Sequence, residues 1–393
     1  MIAKKRHIGI LTGGGDVPPL NSVISSALRE AQKKNIELIG FLNGWEGVLQ
    51  SKYISLDSLT IDPAIGGTIL RSSRLNLKTI ENAGEIVKKK LAELAIEGLI
   101  VIGGEDTLSN AFYLKDFPLV LISKTIDNDV GIYHGGDIVN YFTLGYPTAV
   151  EKISRLVSLR YGLRTTAYSH ERIIVVESMG MHAGWLALSS SLGMPDFIII
   201  PEFPIEFDDL TLKVKDLYQQ QRQVIVVVAE GARWTDGSYL SADYNECDDF
   251  GHPKFKGSAE ILASKLKNDL SKYFDTRNVN YVNPSYYYRS GSPNKLDRMA
   301  AGMLGCEAVK RMTSNDFRSV FLTTAFDNKK LIIKDYSIDE MTDIEELHRF
   351  VNSNLYDNEK YAVTKEGIEY LAKIGQLIPQ NAYGISPTKE NTG

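Results

Sequence analysis

Short apolar runs rich in isoleucine and valine recur along the chain, at His7–Leu11, Glu37–Phe41, Gly98–Ile102, Leu119–Ile122, Arg172–Glu177, Phe197–Ile200, Val224–Ala229 and Val320–Thr323. Their near-continuous apolarity predicts strands covered on both faces, as in parallel sheets. Between them lie Ala83–Leu94, Asp208–Gln221 and Ala259–Tyr273, whose charges are spaced for one wet helix face. Strands and helices in alternation predict doubly wound α/β layers. Thr235–Lys256 breaks the rhythm; it is polar, holds several Gly and Asp residues, and reads as a long surface loop. Gln380–Gly393 is polar and reads as a fraying tail.

A chain of 393 residues is too long for one ordinary small domain, and two domains of roughly 150–200 residues each are expected. No linker separates them in the sequence, as expected when domains interleave. The net charge of −5 argues against non-specific nucleic-acid binding, which needs a basic footprint. It leaves room for a local basic pocket around a phosphorylated small molecule. Cys247 and Cys306 form neither a disulfide framework nor a zinc motif and read as ordinary thiols. The basic start, Met1–His7, leads into a short apolar segment broken at Gly13, unlike a signal peptide. No apolar run approaches the ~20 residues that span a bilayer. A cytoplasmic protein with no membrane partner is expected.

In an α/β sheet, ligands gather at the carboxyl ends of strands, and three such places carry chemistry. Thr12-Gly13-Gly14-Gly15-Asp16 follows the first run. Glycines let backbone N–H groups approach an anion, although a plain structural turn accounts for the segment equally well. It matches neither a Walker A loop nor a dinucleotide fingerprint. Gly103-Gly104-Glu105-Asp106-Thr107 sets two carboxylates after two glycines. Helix capping explains them, and so does a magnesium ligand, because hard cations take carboxylate oxygens. Lys124-Thr125-Ile126-Asp127-Asn128-Asp129 brings a lysine, a hydroxyl and two carboxylates out of one strand end. Side chains two apart in an extended segment point the same way. One carboxylate can then take a proton from a sugar hydroxyl while its neighbour orients substrate or metal.

These three segments, in this order, resemble the phosphofructokinase family. The resemblance continues through His170-Glu171-Arg172, Met179-Gly180, His182-Ala183-Gly184-Trp185, Ala229-Glu230-Gly231, Arg289-Ser290-Gly291-Ser292-Pro293 and Asp297-Arg298, and spans about Ile8 to Met312. It implies two interleaved doubly wound, Rossmann-like domains. Residues 1–144 with about 289–335 would hold the phosphoryl donor, and 145–288 with about 336–393 the sugar phosphate. It further implies that Asp127 is the general base, with Asp129 beside it and Thr125 on the substrate side. Glu105 would bind Mg2+, Gly14 and Arg74 would touch the donor phosphates, and Met179, Gly180, Glu230 and Arg289 would line the sugar phosphate. Arg172 matches a residue that crosses to a neighbouring subunit's site, implying a homodimer or homotetramer. Arg277 is the nearest match for a second crossing arginine.

Donor choice turns on two positions. Asp106 stands where ATP-using members mostly have glycine, and would fill the α-phosphate space with bulk and negative charge. Lys124 stands where pyrophosphate users have lysine, a compact point charge for a short anion. The pair implies pyrophosphate as donor and fructose 6-phosphate as acceptor. Tyr286 replaces a histidine of many ATP users, and Phe250-Gly251-His252-Pro253-Lys254 points to the same branch. Tyr286 can donate a hydrogen bond but carries no positive charge at neutral pH. Met181 replaces a usual arginine and Arg71 a usual glycine; Pro19 and Ser25 also depart, so no effector-nucleotide control is expected. The alternatives are ATP as donor, sedoheptulose 7-phosphate as acceptor, or a catalytically weak regulatory subunit.

Overall fold

The computed structural model describes residues 5–73, 75–114, 116–247, 253–255, 257–340 and 347–378. In chain order it lays down β1 (Arg6–Thr12), α1 (Leu20–Lys33), β2 (Ile36–Phe41), β3 (Tyr53–Ser55), α2 (Ala83–Glu93), β4 (Ile96–Gly103), α3 (Glu105–Ala111), β5 (Leu119–Thr125) and β6 (Leu144–Gly145). Next come α4 (Tyr146–Val157), β7 (Ile173–Ser178), β8 (Phe197–Ile199), α5 (Phe207–Gln221), β9 (Val224–Ala229), β10 (Ala242–Cys247), β11 (Pro253–Phe255), α6 (Ser258–Leu270) and β12 (Val279–Val282). The chain closes with α7 (Lys295–Met312), β13 (Val320–Asp327) and β14 (Lys330–Ser337).

Two compact units result. The first takes the chain through Thr148 and again from Arg289 to Arg349, and the second takes Ala149–Tyr288 and the chain from Phe350. The first unit's return runs past residue 335 because β14 pairs antiparallel with β13 through Ser337. Its sheet has the order β14-β13-β5-β4-β1-β2-β3, with β6 also on β5. The pairs β1–β2, β1–β4, β4–β5 and β5–β13 are parallel. Leu11, Val101, Leu121 and Phe321 from these strands share a core with Val87 and Leu91 of α2 and Leu108 of α3. Such two-sided burial is what the runs without alternation predict.

The second unit has a four-stranded parallel sheet of order β8-β9-β7-β12. Ile173, Val175, Val226 and Val228 pack there with Leu210 of α5 and Leu262 of α6. The segment expected as a loop from Thr235 instead contains the antiparallel ribbon β10–β11, registering Ala242 with Phe255. Alternation over so few polar residues is too short to read from sequence. No helix among the described residues is long and apolar enough to cross a membrane. The tail Gln380–Gly393 lies outside the described residues.

Candidate active site

In the first unit β1, β4 and β5 lie side by side, so the segments leaving their carboxyl ends meet. Gly13 and Gly14 donate their backbone N–H groups to Ile102 O and Ser73 O, at 3.0 and 3.1 Å. These two donors are therefore occupied by the fold, and the anion cradle expected of the glycine turn is not built from them. The glycines serve space instead. A Cβ at Gly14 would lie 3.1 Å from Lys124 Nζ, and one at Gly15 would lie 2.5 Å from Arg289 Nη1. The missing side chains admit two cations to the turn.

Lys124 is only 2% exposed, and its ammonium donates to the Gly15 carbonyl. Burial pushes its pKa down to about 7 and the Arg289 guanidinium adds to that, while Asp16, Asp129 and Asp127 pull it back up. Both acids of the β5 turn thus act electrostatically on one lysine. Arg289 Nη2 lies 3.8 Å from Asp127 Oδ2, with both side chains largely buried. Arg289 thus groups with Gly15 and Asp127.

β5 ends at Thr125, and the Thr125 hydroxyl accepts from the Asp127 N–H at 3.1 Å. The extended i, i+2 geometry expected of Asp127 and Asp129 does not occur. Asn128 between them takes a left-handed φ of 55°. Asparagine tolerates that region better than most residues, which gives the middle residue of the acidic triplet a backbone reason. Its side-chain oxygen accepts from the Thr143 N–H at 3.0 Å and from Arg349 Nη1 at 3.3 Å.

Glu105 and Asp106 open α3, whose N-cap is Gly104. The cap position is a glycine, so both acids lie inside the first turn, a favourable place for negative charge. Asp106 is exposed. Glu105 Oε2 lies 3.4 Å from His348 Nδ1. Among the described residues no group of three or more His, Cys, Asp or Glu could hold a metal ion. Magnesium keeps several waters and needs only one or two protein carboxylates when it arrives on phosphate, so a single acid such as Glu105 is chemically sufficient for it. Arg71 is exposed at φ 59°, and its carbonyl accepts from the Thr12 hydroxyl at 2.9 Å. A glycine at this place would take that conformation without strain. Arg74 and Phe250–His252 lie outside the described residues.

In the second unit the chain leaves β7 at Met179-Gly180-Met181. Gly180 N–H donates to Glu230 Oε1 at 3.2 Å, and Glu230 N–H donates to Ser178 O at 2.9 Å. Met179, Met181 and Glu230 border a cavity of about 230 Å³ that Glu177, Ser258 and Asn283 also line, among others. Glu177 accepts from Ala259 N–H at 2.9 Å and from Asn283 Nδ2 at 2.6 Å. Burial pushes its carboxyl pKa up. Arg172 is half-buried, just before β7, and Tyr286 is 75% exposed. Arg277 donates to Asp275 at 2.7 Å on the surface.

Three members of these clusters carry no role in the sequence reading. Asp16 closes the glycine turn but carries no motif of its own. Asn128 is visible as the middle of Asp-Asn-Asp, where left-handed asparagine is a recognisable turn signal. Arg349 reaches the turn from more than two hundred residues downstream, and no spacing rule points to it.

A family model described as phosphofructokinase matches residues 7–312. The ATP-dependent 6-phosphofructokinase 3 of Streptomyces coelicolor is 36% identical over 79% of this chain and 89% of its own. The pyrophosphate–fructose 6-phosphate 1-phosphotransferase of the same organism is 37% identical over 79% of this chain and 88% of its own. Among solved structures, a pyrophosphate-dependent phosphofructokinase from Marinobacter aquaeolei superposes with a TM-score of 0.78 at 18% identity, covering 95% of this chain and 93% of its own. The last likeness concerns the fold alone.

Proposed function

The chain belongs to the phosphofructokinase family, and from that membership we propose that it transfers a phosphoryl group reversibly from pyrophosphate to the 1-hydroxyl of fructose 6-phosphate. The products are fructose 1,6-bisphosphate and phosphate. The bond from the bridging oxygen to the transferred phosphorus breaks as the sugar oxygen bonds to that phosphorus, and Asp127 receives the hydroxyl proton. Arg289, 3.8 Å from Asp127, supplies a fixed cation beside the base. Lys124 adds a compact charge at the glycine turn. Electrostatic stabilisation and positioning of this kind supply most of the catalysis in phosphoryl transfer. Glu105 would hold a magnesium ion brought in on pyrophosphate, and the ion would neutralise charge on the donor. The first unit would thus carry the donor, and Met179, Gly180, Met181, Glu230 and Tyr286 of the second the sugar phosphate. Arg172 would serve a neighbouring subunit's sugar phosphate.

The observation that carries the donor assignment is Asp106. It stands exposed in the first turn of α3, directly beyond the Gly103–Ser123 pairing of β4 with β5. A carboxylate at that place would add bulk and negative charge on the donor side, which suits a short anion and opposes a longer nucleotide. ATP as donor remains the second reading, because relatives named for either donor match at nearly equal identity. Specificity is a difference of transition-state affinities, so the test compares kcat/KM for pyrophosphate and for ATP. The wild-type chain should strongly favour pyrophosphate, and Asp106→Gly should move the ratio toward ATP. A wild type that prefers ATP, or a ratio unmoved by the substitution, would sink the donor assignment.

A further inference from the structure

Just before the chain leaves the first unit, Leu347–Arg349 runs beside the acidic turn. Gly131 N–H donates to Leu347 O at 2.7 Å, and the Tyr133 hydroxyl donates to His348 O at 2.6 Å. Val130 and His348 form an antiparallel bridge. Arg349 then contacts the turn with both of its parts. Its N–H donates to Asp129 O at 2.8 Å. Its Nη1, on a residue only 5% exposed, donates to Asn128 Oδ1 at 3.3 Å, Asn140 O at 3.1 Å and Tyr141 O at 3.0 Å.

Asn128 is the pivot of this arrangement. It is fully buried and left-handed, and the acids flanking it both act on Lys124. A sparsely populated backbone conformation persists only where its surroundings over-determine it. Here those surroundings are the Thr143 N–H and the Arg349 guanidinium, converging on one amide oxygen. We infer that Arg349 is a positioning residue: through Asn128 Oδ1 and Asp129 O it fixes the turn that presents Asp127 and Asp129 to the reacting groups.

The inference rests on the proposed base role of Asp127. Misplacing a reacting group by about 1 Å costs on the order of 10²-fold in rate. Arg349→Met should therefore lower kcat by about that factor while leaving KM for fructose 6-phosphate within a few-fold. The solvent deuterium isotope effect on kcat should rise, because proton transfer to a misplaced base becomes the slow step. A role in stability alone would lower Tm and the active fraction without moving the isotope effect.

Asn128→Gly provides a second variant, since it keeps the left-handed backbone but removes the acceptor. It should reproduce the kcat loss. The double variant should be no worse than the poorer single one, since coupled residues are non-additive. The proposal is overturned if Asn128→Gly keeps normal turnover, or if the two effects simply multiply. Asp127→Ser, assayed in parallel, separates the two assignments. Near-normal turnover in that variant removes the base role. Its loss of turnover alongside normal Asn128→Gly and Arg349→Met enzymes removes only the positioning role.

Discussion

Lys124 is held nearly dry beside three carboxylates and one guanidinium, and this makes it a titrating group near neutral pH. Its folded pKa is lowered from 10.5 to about 7. Between those values the unfolded chain holds a proton that the folded chain has released. Linkage then makes the lysine's contribution to stability rise as pH increases through that window. Binding works in the opposite sense. Above pH 7 a donor anion meets a neutral amine and must draw a proton onto it. Calorimetry at pH 8, in buffers of different ionisation enthalpy, should show proton uptake when pyrophosphate binds, and Lys124→Met should lose it. Unchanged uptake in the variant would mean that pyrophosphate's own titration accounts for the signal. At this scale the sequence carries much of the site's content. The acids after β5 and the lysine before them are visible as a dense cluster of unlike charges. Their arrangement is not visible, because one left-handed φ at Asn128 turns the second acid out of the extended line.

α7 shows how an element can set a neighbouring corner. Its N-cap, Asn294, accepts from Asp297 N–H at 2.9 Å and donates to Pro147 O at 2.8 Å. The Asp297 carboxylate, fully buried, accepts from Gly145 N–H at 2.9 Å, Thr148 N–H at 3.1 Å and the Thr148 hydroxyl. Asp297→Ala leaves these donors without an acceptor, and each buried orphan costs about 1–3 kcal/mol. Burial raises the Asp297 pKa from 3.8 to about 6. Its contribution to stability is therefore fully present below pH 3.8 and is lost as pH rises through 6. The drop in Tm on Asp297→Ala should accordingly be larger at pH 5 than at pH 7.5, and equal drops would assign the effect to the orphaned donors alone. Elements differ in legibility for a related reason. The interior strands β1, β4, β5, β7 and β9 are buried on both faces and announce themselves as apolar runs. β12 and β14 are partly exposed and include polar residues such as Asn280 and Lys334, so periodicity passes over them.

The whole chain crosses between its two units at Thr148, Tyr288 and Arg349, and such interleaving leaves no linker for composition to reveal. The α/β class could be read from the rhythm of runs, whereas crossings near residues 144, 288 and 335 were implied by the family resemblance and by no feature of composition. Assembly adds a level above the chain. The second unit exposes Tyr273, Tyr281, Tyr286 and Tyr287, each about half or more, and exposed tyrosines concentrate where proteins associate. Together with the proposed reach of Arg172 into a neighbouring site, this leads us to expect an active species of at least two chains. Mixing two defective variants tests it directly. Asp127→Ser lacks the base but retains Arg172, and Arg172→Ala lacks the arginine but retains the base. If Arg172 acts across a two-fold interface, a mixed dimer contains one complete site. An equal mixture refolded together should then recover about a quarter of wild-type turnover, since half of the dimers are mixed and each has one working site of two. Neither variant should recover alone. If the mixture stays as inactive as its components, or sedimentation finds a fully active monomer, Arg172 serves its own chain and the assembly has no part in the chemistry.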